Sequence, residues 1–218
     1  MSRFPNRERA GRELSPELSK FQNQQPLVMP VPNGGIPVAM PVAQALKAPL
    51  FPIPIRSLHV PWHDETIFGY VTHQGGLHLN QPLVGQMRLT PPEIRGIARK
   101  QQTALQIDLE SWGVIVPDNL QGKTALLIDD GMHSGWTMFS AVEAVRHLGA
   151  ARIVAAVPVT HYRAKRFLAR HCDEVIALQT EEIALYQIEN YYDEFSKLSS
   201  PDVKGLLKTV PSARPTAA

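Results

Sequence analysis

The sequence predicts an α/β protein with a mostly parallel sheet flanked by helices. Short, continuously apolar runs alternate with longer segments of helical periodicity, which is typical of strands buried on both faces between helices. The 218 residues are enough for one well-buried domain, which we expect over residues 1–207 before a flexible tail at 208–218. Ligands are expected at the carboxyl ends of the strands of such a sheet.

The first part of the chain contains two predicted helices and two predicted strands. Asn6 can cap a first helix, residues 26–31 form a strand, and residues 36–48 form a second helix. Residues 50–56 have the composition of a further strand, but two of them are prolines spaced two apart. Their missing N–H groups face the same side, so this strand either loses hydrogen bonds on that side or is shorter than its composition indicates.

The middle of the chain is more polar. We expect a loop at residues 59–66 and a hairpin over residues 67–79 around a Gly-Gly turn. Thr90 and Glu93 form a capping box with prolines in the first helical turn, which predicts a helix to about residue 111.

The last part alternates strands with helices. The predicted strands are 125–128, 152–159 and 173–178, and the predicted helices are 137–148, 161–171 and 201–207. This alternation is what predicts parallel strands.

Composition excludes some classes of function. The net charge of +2 does not by itself indicate nucleic acid, and no basic stripe with interleaved aromatics is present. The polar N-terminus is not that of a signal peptide, and no apolar run approaches the ~20 residues of a membrane span. A single cysteine, Cys172, cannot form an intramolecular disulfide and is expected to be a buried structural thiol, so we expect a cytoplasmic location.

Two patterns are set aside. Residues 122–124 resemble the end of a P-loop, but Pro117 stands where its first glycine belongs, and a strand rather than a helix follows. A cluster of histidines lacks the cysteines or acids of a zinc site and is expected to face solvent or substrate: His59, His63, His73 and His78.

Residues 125–137 form the stretch around which the chain is organised. An apolar strand ends in Asp129 and Asp130, a Gly/Ser turn follows, and a helix begins near Thr137. Unpaired N–H groups at a helix start bind anions, whereas two carboxylates would repel a bare phosphate. A phosphorylated sugar resolves this conflict, because its hydroxyls meet the acids while its phosphate lies in the turn. The alternatives are a structural cap and an acid pair that accepts a phosphoryl group, as in receiver domains.

Residues 128–137 resemble the phosphoribosyl pyrophosphate (PRPP) motif of type I phosphoribosyltransferases. The resemblance extends to residues 4–11, 31–39 and 191–196, which fit a particular bacterial branch. It implies the three-layer fold of that family, with a small hood over about residues 57–82.

The resemblance also implies roles for individual residues. Asp129 and Asp130 would bind the ribose hydroxyls of PRPP, and Asn33, Gly34 and Gly35 would belong to the loop on the pyrophosphate side. The 5′-phosphate would lie against Gly131, Met132, Ser134, Gly135, Trp136 and Thr137. Mg²⁺ would be held mainly through the substrate. A nitrogen nucleophile would displace pyrophosphate at the anomeric carbon, through a transition state whose positive charge the carboxylates stabilise.

Three positions depart from the family pattern. Asn33 stands where an arginine is common, and Ser57 stands where a lysine is common; Arg56 precedes it and would compensate in part. Each ionic hydrogen bond contributes roughly 1.5–3 kcal/mol, so losing both would cost a factor of about 10² or more in affinity. Trp136 replaces a small residue and would cover the turn, stack on a flat acceptor or fill the core.

His133 lies in the turn, where some purine-acting relatives carry an acid near the base. It is interpreted either as a catalytic proton donor or acceptor or as an ordinary loop residue.

Two functions follow, and they differ in class. The first is an enzyme, a pentosyltransferase that transfers ribose 5-phosphate from PRPP to an unidentified nitrogenous acceptor. The second is a non-catalytic relative that binds PRPP or a nucleotide for regulation, which Asn33 and Ser57 motivate. A purely structural or partner-binding role requires an inert turn. Homodimerisation is implied by the resemblance alone, and neither nucleic acid nor membrane is expected as a partner.

Overall fold

The computed structural model describes residues 3–115, 117 and 119–209, apart from the side chains of Asp64 and Glu65. The chain divides into two compact units, the first formed by Met1–Ile53 with Ile115–Ala218 and the second by Pro54–Val114. The single domain expected over residues 1–207 stays a prediction, and residues 210–218 of the expected tail lie outside the described residues.

The described residues contain seven α-helices and seven strands. The helices are α1 (Arg7–Leu18), α2 (Gly35–Leu46), α3 (Gln81–Gln86), α4 (Pro91–Trp112), α5 (Trp136–His147), α6 (Tyr162–Leu168) and α7 (Ser200–Leu207). The strands are β1 (Pro26–Pro30), β2 (Ile55–Val60), β3 (His63–Thr72), β4 (Leu77–Leu79), β5 (Thr124–Ile128), β6 (Arg152–His161) and β7 (Glu174–Glu181). None of these helices is both long and apolar enough to cross a membrane.

Unit 1 is built on a four-stranded parallel sheet in the order β1-β5-β6-β7. Leu126 at the middle of β5 pairs with Val28 on one side and Val154 on the other. Every residue of β1 and β5 is buried, which requires cover on both faces. The predicted α/β class with a parallel sheet flanked by helices is therefore confirmed.

The two faces of this sheet pack against different helices. Alternate strand residues face a core shared with α1 and α2, and they are Val28, Leu126, Ile128, Val154 and Ala156. Their neighbours in the strands point to the opposite face, because side chains alternate along a strand. α5 lies against β5 and β6, and α6 lies against β6 and β7.

The chain after α2 runs along the free edge of β1. Phe51 N–H donates to Val28 O at 2.9 Å, and Ile53 N–H donates to Pro30 O at 2.9 Å. The missing N–H of Pro52 therefore falls on the side away from β1, as the proline spacing predicted. Of the two outcomes expected for residues 50–56, the structure shows the shorter strand, since only one bridge forms at Leu50 and β2 begins at Ile55.

Unit 2 is an antiparallel three-stranded sheet, β2-β3-β4, with α3 and α4. The loop expected at residues 59–66 was wrong, because β2 and β3 extend through it and leave only a tight turn between Val60 and His63. The expected hairpin of β3 and β4 is confirmed. So is the capping box, in which the Glu93 carboxylate accepts from the N–H and the hydroxyl of Thr90.

Candidate functional site

The two adjacent acids lie at the carboxyl end of β5, a central strand of the parallel sheet. Asp129 is half-buried and its N–H donates to Ala156 O of β6 at 3.3 Å, so the strand pairing continues up to the acid. Asp130 is buried, and its N–H donates to Oδ1 of Asp129 at 2.9 Å. The acids therefore stand where parallel sheets bind ligands.

Arg7 supplies a positive charge to this pair. Its Nε donates to Oδ2 of Asp130 at 2.8 Å, and both side chains are about nine-tenths buried. Its Nη1 donates to Ser196 O at 2.8 Å, and its guanidinium lies 3.8 Å from the centroid of the Phe195 ring. Separating the two partners would leave a buried charge without compensation, which is strongly unfavourable. The ion pair with Arg7 therefore holds the Asp130 side chain in place.

Asn6 sets the start of α1 and so the position of Arg7. The Asn6 side chain accepts from Arg9 N–H at 2.9 Å, which makes Asn6 the predicted cap and Arg7 the first helical residue. Arg7 was part of the family resemblance, but no role was assigned to it from the sequence.

The segment after β7 holds the backbone of Asp130. The Tyr192 hydroxyl donates to Asp130 O at 2.6 Å, and this bond is buried. Tyr192 in turn packs its ring against Phe4, with 5.6 Å between centroids, and Asp193 N–H donates to Phe4 O at 2.9 Å. The segments that contain Phe4 and Tyr192 thus meet at the acid pair.

The acid pair has an uneven electrostatic environment. Burial raises the pKa of the Asp129 carboxyl well above its ordinary value, and the charge of Asp130 adds to the rise. Burial raises the pKa of Asp130 as well, but the Arg7 guanidinium opposes that rise. Of the two carboxyls, Asp129 is therefore the one whose pKa is raised more.

The turn after the acids is anchored to β6. Met132 N–H donates to Val159 O at 3.0 Å, and Met132 O accepts from His161 N–H at 2.9 Å. Both backbone groups of this buried residue are therefore occupied by the neighbouring strand. Gly131 is buried beside it, and Ser134 is exposed, with its Oγ accepting from Trp136 N–H at 3.4 Å.

Gly135 is the N-cap of α5 and makes the reversal that starts this helix. Its φ of +82° is strained for residues with a Cβ, so glycine is required here. Half-buried Thr137 lies in the first turn that follows. The first N–H groups of an α-helix have no carbonyl acceptor within the helix, and a helix start of this kind binds anions. The sequence predicts the same anion-binding property for the turn after the acids.

Trp136 at the first position of α5 packs within an aromatic cluster. Its ring lies 5.5 Å from Phe139 and 5.4 Å from Phe167, between centroids, and Phe139 also contacts His171. Of the three roles considered for Trp136, packing is the one for which the structure gives contacts.

His133 is exposed on the turn and stacks on Tyr186, with 5.8 Å between ring centroids and 25° between planes. His161 packs edge-on against the same ring at 5.7 Å. The Tyr186 hydroxyl is buried without a hydrogen-bond partner within the described residues. The structure thus gives His133 a packing partner, while its catalytic role stays a prediction.

The loop of residues 32–35 lies directly against the acid pair, because β1 is the neighbour of β5. A Cβ on Gly34 would lie 2.2 Å from Oδ2 of Asp130, so only glycine fits there. Gly35 is the first residue of α2 and its N–H donates to Val31 O at 3.0 Å. The Asn33 side chain donates from Nδ2 to Leu198 O at 3.0 Å.

Arg56 belongs to unit 2, in contrast to the other predicted site residues. Its Nε donates to Gln101 Oε1 at 2.8 Å, and its Nη1 forms an ion pair with Asp108. Ser57 Oγ lies 2.8 Å from His59 Nε2 on the same strand. Arg56 is thus paired within its own unit, and its role towards pyrophosphate stays a prediction.

Mg²⁺ is the metal ion that the family resemblance implies for this site. Within the described residues no group of three or more His, Cys, Asp and Glu could hold a metal ion. Asp130 is already paired with Arg7, which leaves Asp129 as the carboxylate without a cation. One unpaired carboxylate does not make a protein cage, and Mg²⁺ held mainly through the substrate stays a prediction.

A parallel sheet with an acid pair at the end of β5 and a small-residue turn into α5 defines the type I phosphoribosyltransferase fold. The chain belongs to the phosphoribosyl transferase domain family, whose model matches residues 2–189.

Relatives extend this assignment. A protein of Mycobacterium tuberculosis, provisionally named a phosphoribosyl transferase, is 32% identical over 95% of this chain. The chain spans about half of that relative, 47% of its length. The crystal structure of TT1426 from Thermus thermophilus is similar with a TM-score of 0.76 and 29% identity, covering 94% of this chain and 97% of the other.

The AQ2163 protein from Aquifex aeolicus matches with a TM-score of 0.50 at 10% identity, covering 80% of this chain and 74% of the other, and so shares the fold alone.

Proposed function

We propose that the protein is a phosphoribosyltransferase that transfers ribose 5-phosphate from PRPP to a nitrogenous acceptor. The observation that carries the proposal is the acid pair at the end of β5, followed directly by the anion-binding start of α5. Carboxylates beside a phosphate turn suit a ligand that has hydroxyls and a phosphate on one sugar.

The described residues suggest a division of the substrate over unit 1. The hydroxyls of the ribose would meet the carboxylates, and the 5′-phosphate would lie over the turn that leads into Trp136 and Thr137. The pyrophosphate would lie at residues 32–35, where Gly34 lets the backbone approach closely. Mg²⁺ carried by the substrate would neutralise charge on the leaving pyrophosphate.

The reaction would form a bond from the acceptor nitrogen to the anomeric carbon and break the bond from that carbon to pyrophosphate. Positive charge develops on the sugar as pyrophosphate leaves, and an ionised carboxylate beside the ring stabilises it. The acceptor nitrogen loses a proton, and exposed His133 is the candidate for receiving it.

A second candidate function is binding of PRPP or a nucleotide without turnover. The specific observation is that Asn33 stands where the family commonly has an arginine, and that its side-chain amide donates to Leu198 O. Pyrophosphate would then leave without ionic hydrogen bonds from this position, and a weakly stabilised leaving group favours binding over reaction.

The cellular setting is also a proposal. The single cysteine favours a reducing compartment such as the cytoplasm. Homodimerisation, as the family resemblance implies, is proposed on that basis alone.

Calorimetry with PRPP and Mg²⁺, followed by an assay of pyrophosphate release with pooled bases and amines, tests the proposal. We expect binding, release with at least one acceptor, and loss of both in the double variant Asp129→Asn/Asp130→Asn. Glu8→Gln/Glu13→Gln is the matched control, because it also removes two carboxylates but from the exposed face of α1.

The outcomes separate the two candidates. Binding without release for every acceptor supports the regulatory function. If neither PRPP nor any nucleotide binds, both candidates are wrong.

A further inference from the structure

We propose that the two adjacent acids do different work: Asp130 is a structural anion held by Arg7, and Asp129 alone binds the sugar of the ligand. This inference rests on the proposed function and deepens it, since an adjacent acid pair is otherwise interpreted as two equivalent ligands for two hydroxyls. It also makes Arg7 a positioning residue for the site.

Asp130 is in contact with three protein groups, which belong to Arg7, Gly34 and Tyr192. Arg7 Nε donates to its Oδ2, and the Cα of Gly34 lies so close that a Cβ there would be 2.2 Å from Oδ2 and 3.1 Å from Oδ1. Its backbone oxygen accepts from Tyr192. A sugar hydroxyl would compete with Arg7 for Oδ2, and Gly34 leaves little room beside either carboxylate oxygen.

Three groups hold the Arg7 side chain in its position. Besides the bond to Asp130, its Nη1 donates to Ser196 O, and the Phe195 ring lies 3.8 Å from the guanidinium carbon. Planar stacking together with directed hydrogen bonds is what arginine offers and lysine does not. The Arg7 guanidinium therefore has a structural role within unit 1, and it does not bind pyrophosphate in this proposal.

Asp129 differs in each respect. It is half-buried rather than buried, and no ion pair with a basic side chain is present among the described residues. The charged and titratable groups that face the pair are Arg7 from α1 and Tyr186 and Tyr192 from the segment after β7. The part of α2 that touches the pair contributes only glycine backbone.

The different surroundings imply a different protonation of the two acids. Burial raises the pKa of both carboxyls, but the Arg7 guanidinium opposes the rise at Asp130, whereas the charge of Asp130 adds to the rise at Asp129. Hydroxyl donors of a sugar bind best to the ionised form, so PRPP binding should release a proton from Asp129 and weaken on acidification.

The experiment measures PRPP affinity with Mg²⁺ by calorimetry across pH, together with thermal unfolding without ligand. Asp129→Asn should lower the affinity about tenfold or more. The double variant Arg7→Gln/Asp130→Asn removes the whole ion pair but keeps the Asp129 carboxylate, so it should lose less affinity than Asp129→Asn. Its loss of affinity on acidification should move to lower pH, because the charge of Asp130 raises the pKa of Asp129 more than Arg7 lowers it.

Stability gives a readout that does not depend on ligand. Arg7→Gln and Asp130→Asn should each lower Tm, and their combination should lower it by less than the sum, whereas Arg7→Gln and Asp129→Asn should add. Arg12→Gln is the control, since Arg12 pairs with Glu8 on the exposed face of the same helix. If the double variant fails to fold, Arg7→Lys tests the same idea by keeping the charge and losing the stacking and the bond to Ser196.

Several results would overturn the proposal. A double variant that folds but binds as poorly as Asp129→Asn shows that Asp130 contacts the ligand. Additive Tm changes for Arg7 and Asp130 show that the pair is not a structural unit. If wild type binds neither PRPP nor a nucleotide, the proposed function fails, and the stability comparison still decides whether Arg7 holds Asp130.

Discussion

Asn33 and Leu198 are joined by a hydrogen bond from the Asn33 amide nitrogen to the Leu198 carbonyl oxygen, 3.0 Å long. The bond connects the loop before α2 to the segment before α7, 165 residues later. It occupies the side chain at the position where the family commonly has an arginine. The Asn33 side chain therefore contributes a contact within the fold, and the role of its loop towards pyrophosphate stays a prediction.

We expect Asn33→Arg to strengthen PRPP binding about tenfold or more, because one ionic hydrogen bond to pyrophosphate contributes roughly 1.5–3 kcal/mol. Losing the bond to Leu198 should cost about 1 kcal/mol of stability. Calorimetry with PRPP and unfolding in denaturant measure the two effects.

Ribose 5-phosphate is the control ligand for this variant, because it shares the sugar and phosphate but lacks pyrophosphate. Its affinity should stay unchanged. An equal gain for both ligands would show that the new arginine acts elsewhere than at the pyrophosphate.

We expect Gly34→Ala to destabilise unit 1 by about 1–3 kcal/mol, because the added methyl group would overlap the enclosed Asp130 carboxylate. PRPP binding should fall with it. Unfolding in urea and calorimetry are the measurements.

The matched control is Gly96→Ala on α4, where a Cβ meets nothing within 4 Å. This change should be neutral or stabilise by up to about 1 kcal/mol, since alanine is the better helix former. A Gly34→Ala variant as stable as wild type would mean that Asp130 can move, contrary to the enclosure described.

We expect stability to fall as pH rises from the ordinary carboxyl range towards neutrality, because of Asp129. Its pKa in the native protein is raised well above the ordinary value of 3.8, so between these two values the native state holds a proton that the unfolded chain has released. Each unit of elevation corresponds to about 1.4 kcal/mol. Asp129→Asn should therefore raise Tm at pH 7 while lowering PRPP affinity, as thermal unfolding across pH will show.

Asp193→Asn is the control for this pH series, because that carboxyl is exposed and forms an ion pair with Arg3 at the surface. It should reproduce the wild-type profile. A wild-type Tm that rises steadily from pH 4 to 7 would contradict the raised pKa of Asp129.

The parallel sheet was predictable from the sequence because its strands are continuously apolar and separated by segments of helical period. The sheet of unit 2 was predicted only in part. His59 and His63 lie in β2 and β3, but Pro61 between them and the polar residues after His63 have the composition of a loop. Strands with one polar face have a weaker signature than strands buried on both faces.

The site was predictable where its residues are neighbours in sequence, as Asp129 and Asp130 are. Arg7 lies 123 residues from Asp130, and no local pattern indicates that the two charges meet. Its partners Phe195 and Ser196 are also distant from the acids in sequence. Long-range pairing of this kind depends on the packing of α1 and of the segment after β7 on the sheet, which periodicity does not encode.

The contacts of Tyr192 and Ser196 have a consequence for synthesis of the protein on the ribosome. Both residues are translated after β7, the last strand of the parallel sheet, yet one holds the backbone of Asp130 and the other holds Arg7. A nascent chain that has already formed the sheet therefore still lacks the groups that fix its acids. Ligand affinity should consequently appear only after residues 192–196 have been translated, and a chain that stops before residue 191 should form the sheet with an unfinished site.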